Sequence, residues 1–173
     1  MNQQQQSSPD VSGLTFEKVW AMFQETDKKL NKHERLFTGQ WGKLVESLVE
    51  GDLVRLLKKR GIDIEETYER RKRIYKGKMI EIDIVAANGK DVIPVEVKTT
   101  MKVEDVNYFL DKLNIFKKAF PEYKSRKVYG SIAYIKVEEA ADKYAYRQGL
   151  FVIRATGKSA TITNDKKFKP KSF

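Results

Sequence analysis

Asp83 precedes Glu96 by thirteen positions and Lys98 follows two later, in a stretch that reads Glu81-Ile82-Asp83-Ile84-Val85, Asn88-Gly89 and Pro94-Val95-Glu96-Val97-Lys98. Both runs alternate. Ile80, Ile82 and Ile84 fall on one side of an extended chain with Glu81 and Asp83 on the other, and Val95 and Val97 alternate likewise with Glu96 and Lys98. Folded back on each other, the two runs collect carboxylates and an ammonium on one face. Acidic residues opposed on neighbouring strands repel, and a divalent cation between them removes the repulsion. The pattern is that of a magnesium-dependent phosphodiesterase. For Glu96 and Lys98 the competing reading is a cross-strand ion pair on a solvated sheet face, which contributes little to stability.

Register decides which carboxylates meet. A two-residue Asn88-Gly89 turn sets Glu96 opposite Glu81, whereas a four-residue loop through Asp91 sets it opposite Asp83. Both lie on the same face.

The elements needed to position these residues are legible on either side. From Trp41 to about Lys59, Val45, Leu48, Val49, Leu53, Leu56 and Leu57 recur at helical spacing, and Gly61 closes the segment. Strands follow over Thr67 to Tyr75, Met79 to Ala86 and Val92 to Thr99, joined by a Lys76-Gly77-Lys78 turn and by Asn88-Gly89, a strong hairpin signal. A second amphipathic helix carries Val103, Val106, Phe109, Leu110, Leu113, Phe116 and Phe120 on its buried side and stops at Pro121. Val128 to Val137 is expected as a buried strand, Glu138 to Gln148 as a helix, and Leu150 to Ala155 as a last strand before Gly157.

This order, with Asp83 and then Glu96-Val97-Lys98, resembles the PD-(D/E)XK nuclease superfamily over roughly Trp41 to Gly157. The proline that often precedes the aspartate in that family is replaced by Ile82. The resemblance implies an α/β, restriction-endonuclease-like core of order αβββαβ, a mixed central sheet flanked by helices. It implies Asp83, Glu96 and Lys98 as catalytic residues, and it favours Asp83 over Glu81 as the partner of Glu96, with Glu81 as a reserve ligand. Asp83 and Glu96 would hold Mg2+ or Mn2+, with the Val97 carbonyl adding an oxygen and water completing the octahedron. Lys98 would orient or help deprotonate the attacking water and offset charge on phosphorus. The activity implied is a metal-dependent DNA endonuclease acting in repair, recombination or defence. The other reading kept open is a catalytically silent nuclease-fold module that binds DNA or drives assembly.

Glu46 stands out independently of the motif. At about 100° per residue it falls within the stripe made by Val45, Val49, Leu53 and Leu57, where an apolar residue belongs. A carboxylate on a core-facing side is costly unless it meets a cation, and in the family a glutamate of the first helix often points to the metal. Glu46 is therefore a candidate catalytic residue and metal ligand, with Glu50 as the alternative. The plainer reading places Glu46 in the first turns of a helix, where an acidic side chain offsets the dipole.

Charge points to a polyanionic partner. The 173 residues carry 34 basic and 24 acidic side chains, a net +10, and Met101 to Phe173 hold 16 basic against 8 acidic. Lys117, Lys118, Lys124, Arg126, Lys127, Lys143, Arg147 and Arg154 are candidates for contacting DNA phosphates, and Lys166 to Lys171 for a flexible basic arm. The absence of cysteine excludes disulfides and thiolate zinc sites, and a single histidine, His33, excludes His-metal nucleases and His-based triads. No apolar run is long enough to span a membrane, and residues 1–13, polar and without a signal-peptide core, are expected to be a disordered leader of a cytoplasmic protein.

Residues 14–38 form the last feature. Phe16, Val19, Phe23, Thr26, Leu30, His33 and Phe37 alternate by three and four, the spacing of a coiled-coil seam. A helix is expected there, separated from the next by Thr38-Gly39 and pairing two copies into a homodimer, the alternative being that it folds back on its own nuclease-like domain. Uncharacterised bacterial members of the superfamily resemble this arrangement. The organisation expected is thus leader 1–13, amphipathic helix 14–38, nuclease-like domain 39–157 and basic tail 158–173.

Overall fold

The computed structural model describes Lys18 and residues 34–156 and 159–173, with 34–41 and 44 described by their backbone alone. The leader, the seam from Phe16 to His33 and the homodimer expected through it lie outside the described residues. Helix α1 spans Glu34–Lys58. It runs through Thr38-Gly39 without the expected break, because an interior glycine costs only about 1 kcal/mol relative to alanine. At its other end Gly61, at φ 79, donates its N–H to the Lys58 carbonyl at 3.0 Å, and Ile62 donates to Leu57 at 3.1 Å. These are the two bonds of a glycine-terminated helix.

Strands β1 (Glu66–Tyr75), β2 (Lys78–Ala87) and β3 (Asp91–Met101) form an antiparallel meander. Lys76 and Gly77, at φ 49 and 74, provide the two left-handed positions that a tight hairpin needs. The second hairpin is closed by Asn88, whose side-chain oxygen accepts the N–H groups of Lys90 and Asp91 at 2.8 and 2.7 Å. Ala87 consequently pairs with Val92 and Ile84 with Val95, the register that directs Glu96 toward Asp83 rather than Glu81.

Helix α2 (Val103–Ala119) follows, stopped at Pro121 by one turn of 3-10 helix. Then come β4 (Lys127–Val128), β5 (Ser131–Val137), α3 (Ala141–Arg147), β6 (Phe151–Ala155) and β7 (Ala160–Ile162). The sheet order is β1-β2-β3-β5-β6-β7 with β4 beside β3, and β3, β5 and β6 run parallel. This is the expected αβββαβ order, a mixed sheet flanked by helices. Val45, Val49, Leu53 and Leu57 of α1 cover one face against Ile93, Val95, Ala133 and Ile153. Phe109, Leu113 and Phe116 of α2 cover the other against Ile82, Val92, Ile132 and Val152. No helix among the described residues is long and apolar enough to cross a membrane.

Three further expectations are corrected. The strand foreseen over Val128 to Val137 is interrupted at Tyr129-Gly130, where a Cβ on Gly130 would lie 2.4 Å from Leu113 and 2.6 Å from Leu150. The helix foreseen over Glu138 to Gln148 begins only at Ala141, because Glu139 and Ala140 both stand at φ 54.

The basic tail is not a free arm. Ala160–Ile162 adds β7 to the sheet, Phe168 packs on the rings of Tyr146 and Phe151, and Phe173 donates its N–H to the Val128 carbonyl at 2.9 Å. Ile162, Phe168 and Phe173 are half-buried, and Lys166, Lys167, Lys169 and Lys171 stay in solvent.

Asn164 pins this segment. Buried to 4% exposure, its side chain accepts the Val152 N–H at 2.7 Å and donates to the Leu150 carbonyl at 3.1 Å. Asn164→Ala leaves both backbone groups without partners and is expected to cost roughly 2–4 kcal/mol, measured as a lowered urea midpoint. An unchanged midpoint would show that the tail is not seated.

Candidate active site

Asp83 sits where the regular sheet gives way. Ile80 and Ile82 bury against α2, yet Ile84 and Ala86 bury against α1, so the alternation along β2 slips by one face at Asp83. The sequence expectation that Ile80, Ile82 and Ile84 share a face is corrected accordingly. On β1, Glu69 pairs with Ile84 and Arg71 with Ile82, leaving Arg70 across from Asp83 outside the ladder at φ 51. On the other side the β2–β3 ladder ends at Ile84 and Val95. In place of a backbone bond, the Asp83 carboxylate accepts the Val97 N–H at 2.7 Å.

Glu96 and Lys98 lie on the α2 side of β3. Glu96 is 3% exposed, and a carboxylate so buried needs compensation. It has two partners: Lys98 Nζ stands 3.2 Å from one oxygen, and Lys112 of α2 donates to the other at 2.8 Å. Lys112 also donates to the Glu81 carbonyl at 2.9 Å and lies over the Tyr108 ring. Asp105, in the first turn of α2, accepts the Lys102 N–H and stands 3.7 Å from Lys98. Burial alone pulls the Lys98 ammonium down, but Glu96, its hydrogen bond and the charges of Asp105 and Asp83 outweigh it and raise the pKa.

Glu46 is half-buried on α1 and receives both arms of Arg70, Nε and Nη2, each at 3.1 Å. Glu50 accepts the Thr67 hydroxyl at 2.8 Å, and Glu81 stands 3.4 Å from Lys72 on β1. Among the described residues no three His, Cys, Asp or Glu side chains are gathered into a metal-sized cluster. The structure therefore brings Asp83, Glu96 and Lys98 together and sets Glu46 beside them on Arg70.

Among the described residues no lysine or arginine forms an ion pair with the Asp83 carboxylate, whose hydrogen-bond partner is the Val97 N–H. Burial, followed by the charge of Glu96, pushes the Asp83 pKa up to about 6; the Val97 N–H and Lys112 work against this, and Glu46 adds to it. The donor chemistry fits a divalent cation: hard oxygens on two like-charged carboxylates whose repulsion such an ion relieves.

Lys112, Arg70 and Asp105 were not singled out in the sequence. For Lys112 a signal existed, since it lies on the flank of the stripe of Phe109, Leu113 and Phe116, as Glu46 lies in that of α1. For Arg70 there was none, because its role depends on β1 lying beside β2.

The basic candidates are not gathered about the acidic pair. Lys117 and Lys118 occupy the last turn of α2, roughly 18 Å along the helix from Asp105. Lys127 pairs with Asp91, seven residues and roughly 23 Å up β3 from Lys98, and Lys124 is exposed just before it. Arg126 stands 3.4 Å from Glu66 and over the Tyr123 ring, and Arg147 is exposed on the last turn of α3. α2 carries Lys117 and Lys118, and the segment after it Lys124, Arg126 and Lys127, away from the Lys98 end of β3.

No protein-family model and no curated protein matches this chain. Solved structures similar to it include a protein of unknown function, 21% identical over 58% of this chain and 53% of that one, with a TM-score of 0.43. A repair endonuclease from Pyrococcus abyssi is 17% identical over 65% and 47%, at 0.46. A structure of an EndoMS–dsDNA complex is 14% identical over 67% and 46%, at 0.39. The chain spans about half the length of each.

The raised pKa of Asp83 has a consequence for stability. A carboxyl whose folded pKa exceeds its unfolded value favours folding while protonated, so this contribution is full below about pH 4 and is lost as pH rises through about 6. At about 1.4 kcal/mol per unit the loss is on the order of 2–3 kcal/mol. Asp83→Asn, which can still accept the Val97 N–H, is expected to be more stable than the parent at pH 7.5 in EDTA and no different at pH 4. Equal urea midpoints at pH 7.5 would refute the assignment.

Proposed function

We propose that this chain is a metal-dependent DNA endonuclease whose working residues are Asp83, Glu96 and Lys98. One observation carries the proposal: at the point where β2 and β3 part, the register directs Asp83 toward Glu96, and Lys98 stands 3.2 Å from Glu96. Asp83 and Glu96, with the Val97 carbonyl, are the residues to hold Mg2+ or Mn2+. When bound, such an ion acidifies a water and stabilises charge growing on a phosphoryl oxygen.

Lys98, held between Glu96 and Asp105, orients or helps deprotonate the attacking water and offsets charge growing on phosphorus. Lys112 holds the second oxygen of Glu96 and keeps that carboxylate aimed. Glu46 acts through Arg70, which it fixes opposite Asp83, and so is a positioning residue.

A second reading, a catalytically silent DNA-binding or assembly module, is favoured by one observation. Both oxygens of Glu96 are already engaged by ammonium groups, as in a purely structural ion network.

Two measurements separate these readings. By calorimetry the parent is expected to bind Mn2+, with Asp83→Ala at least about tenfold weaker; equal affinities would exclude Asp83 as a ligand. With supercoiled plasmid and branched DNAs in Mn2+, the parent is expected to cut. Lys98→Ala is expected to lose roughly 10²–10⁴-fold in rate with DNA affinity nearly intact, because many phosphate contacts share the binding. A parent that binds every DNA form and cuts none would establish the second reading.

A further inference from the structure

At the C-terminal ends of the three parallel strands, reached on β3 at Thr100 two residues beyond Lys98, lies an open cleft of about 600 Å³. Its walls include Thr100, Tyr134, Lys136, Glu138, Asp142 and Arg154. Register connects it to the proposed active site: Lys98 pairs with Tyr134 across β3 and β5, and Tyr134 pairs with Arg154 across β5 and β6. The three side chains form one row. Tyr134 and Val152 bury on the α2 side, and Arg154, two residues beyond Val152, falls on that same face. Lys98 and Arg154 are thus two strand spacings apart, roughly 10 Å.

The charges along this row differ in a useful way. Lys98 is committed to Glu96, and Glu138 of the cleft is held 3.5 Å from Lys102. Arg154 is exposed and, among the described residues, makes no ion pair. An open crevice at the carboxyl ends of parallel strands is where α/β sheets receive ligands, and a guanidinium there suits a phosphate. Asp142, contributed by α3, repels phosphate but accepts the amino group of a base edge.

We propose that this cleft receives one strand of the DNA substrate beside the bond being cut, with Arg154 holding the phosphate adjacent to the one at Lys98. The phosphates run along the row from Lys98 to Arg154, and the intervening nucleotide turns its base toward Asp142. The assignment rests on the nuclease reading and gives that site a neighbouring nucleotide subsite. It separates Arg154 from the basic residues at the far end of β3, which reach other parts of a duplex or none.

The test uses the full chain, a fluorescent DNA oligonucleotide in EDTA for binding, and Mn2+ for cleavage. Arg154→Gln is expected to weaken DNA binding about three- to tenfold and to lower the salt slope by a little under one phosphate contact, with Mn2+ affinity unchanged. Replacing the phosphate next to the scissile one by an uncharged methylphosphonate should slow cleavage by the parent and have no further effect on Arg154→Gln. The same salt slope in both proteins, or an equal methylphosphonate penalty in both, would overturn the subsite. In that case a parent that still cuts DNA leaves the nuclease reading standing. A parent that neither binds nor cuts any DNA removes both.

Discussion

A carboxylate that is 3% exposed in the middle of a sheet is the constraint around which this molecule is arranged. Glu96 belongs to β3, the strand that joins the antiparallel meander to the parallel half of the sheet, so it cannot turn to water without breaking the core. Its charge is stable there only with cations brought to it. Lys98 comes from the same strand. Lys112 must be delivered by α2, and the same helix places Asp105 beside Lys98. The seating of α2, with Phe109, Leu113 and Phe116 against the sheet, therefore serves the ion network as well as the hydrophobic core.

Asp83 is the exception within this network, and the reason lies in the backbone. Where β2 changes faces, its ladder to β3 stops and the Val97 N–H would go without a partner inside the protein. A buried backbone donor must be satisfied, and the Asp83 carboxylate does so. The price is a carboxyl that burial and Glu96 hold well above its ordinary range. Arg70 meets the same step from β1 with a left-handed φ of 51, a strained conformation for a long side chain, and is fixed by its two bonds to Glu46. Strain, an unrelieved carboxylate and interrupted pairing coincide at one place.

Charge away from this centre is organised by topology. α2 separates Lys117 and Lys118 from the Lys98 end of β3, while the parallel strands β5 and β6 return Tyr134 and Arg154 to it. The last fifteen residues, instead of reaching outward, close the far edge of the sheet through β7, Asn164 and Phe168.

The order and type of most elements, though not β7 or the division of β4 from β5, were legible in the sequence, as were Glu96, Lys98 and the choice of Asp83 or Glu81 as the carboxylate facing them. Alternation marked β2 and β3, the apolar stripes marked α1 and α2, and Glu46 was visible as a charge where an apolar residue belongs. Local physics suffices for these features, because periodicity and turn chemistry act over a few residues. The register of Glu96 was open between Asp83 and Glu81 until the Asn88 side chain was seen to cap Lys90 and Asp91. The slip of faces at Asp83, the roles of Arg70 and Lys112, the break at Gly130 and the folding-back of the tail were decided only by tertiary structure. Each depends on contacts between residues distant in the chain, as Gly130 does on Leu113 and Leu150. A side chain's local pattern states that it will be buried or charged, and only the assembled sheet states beside what.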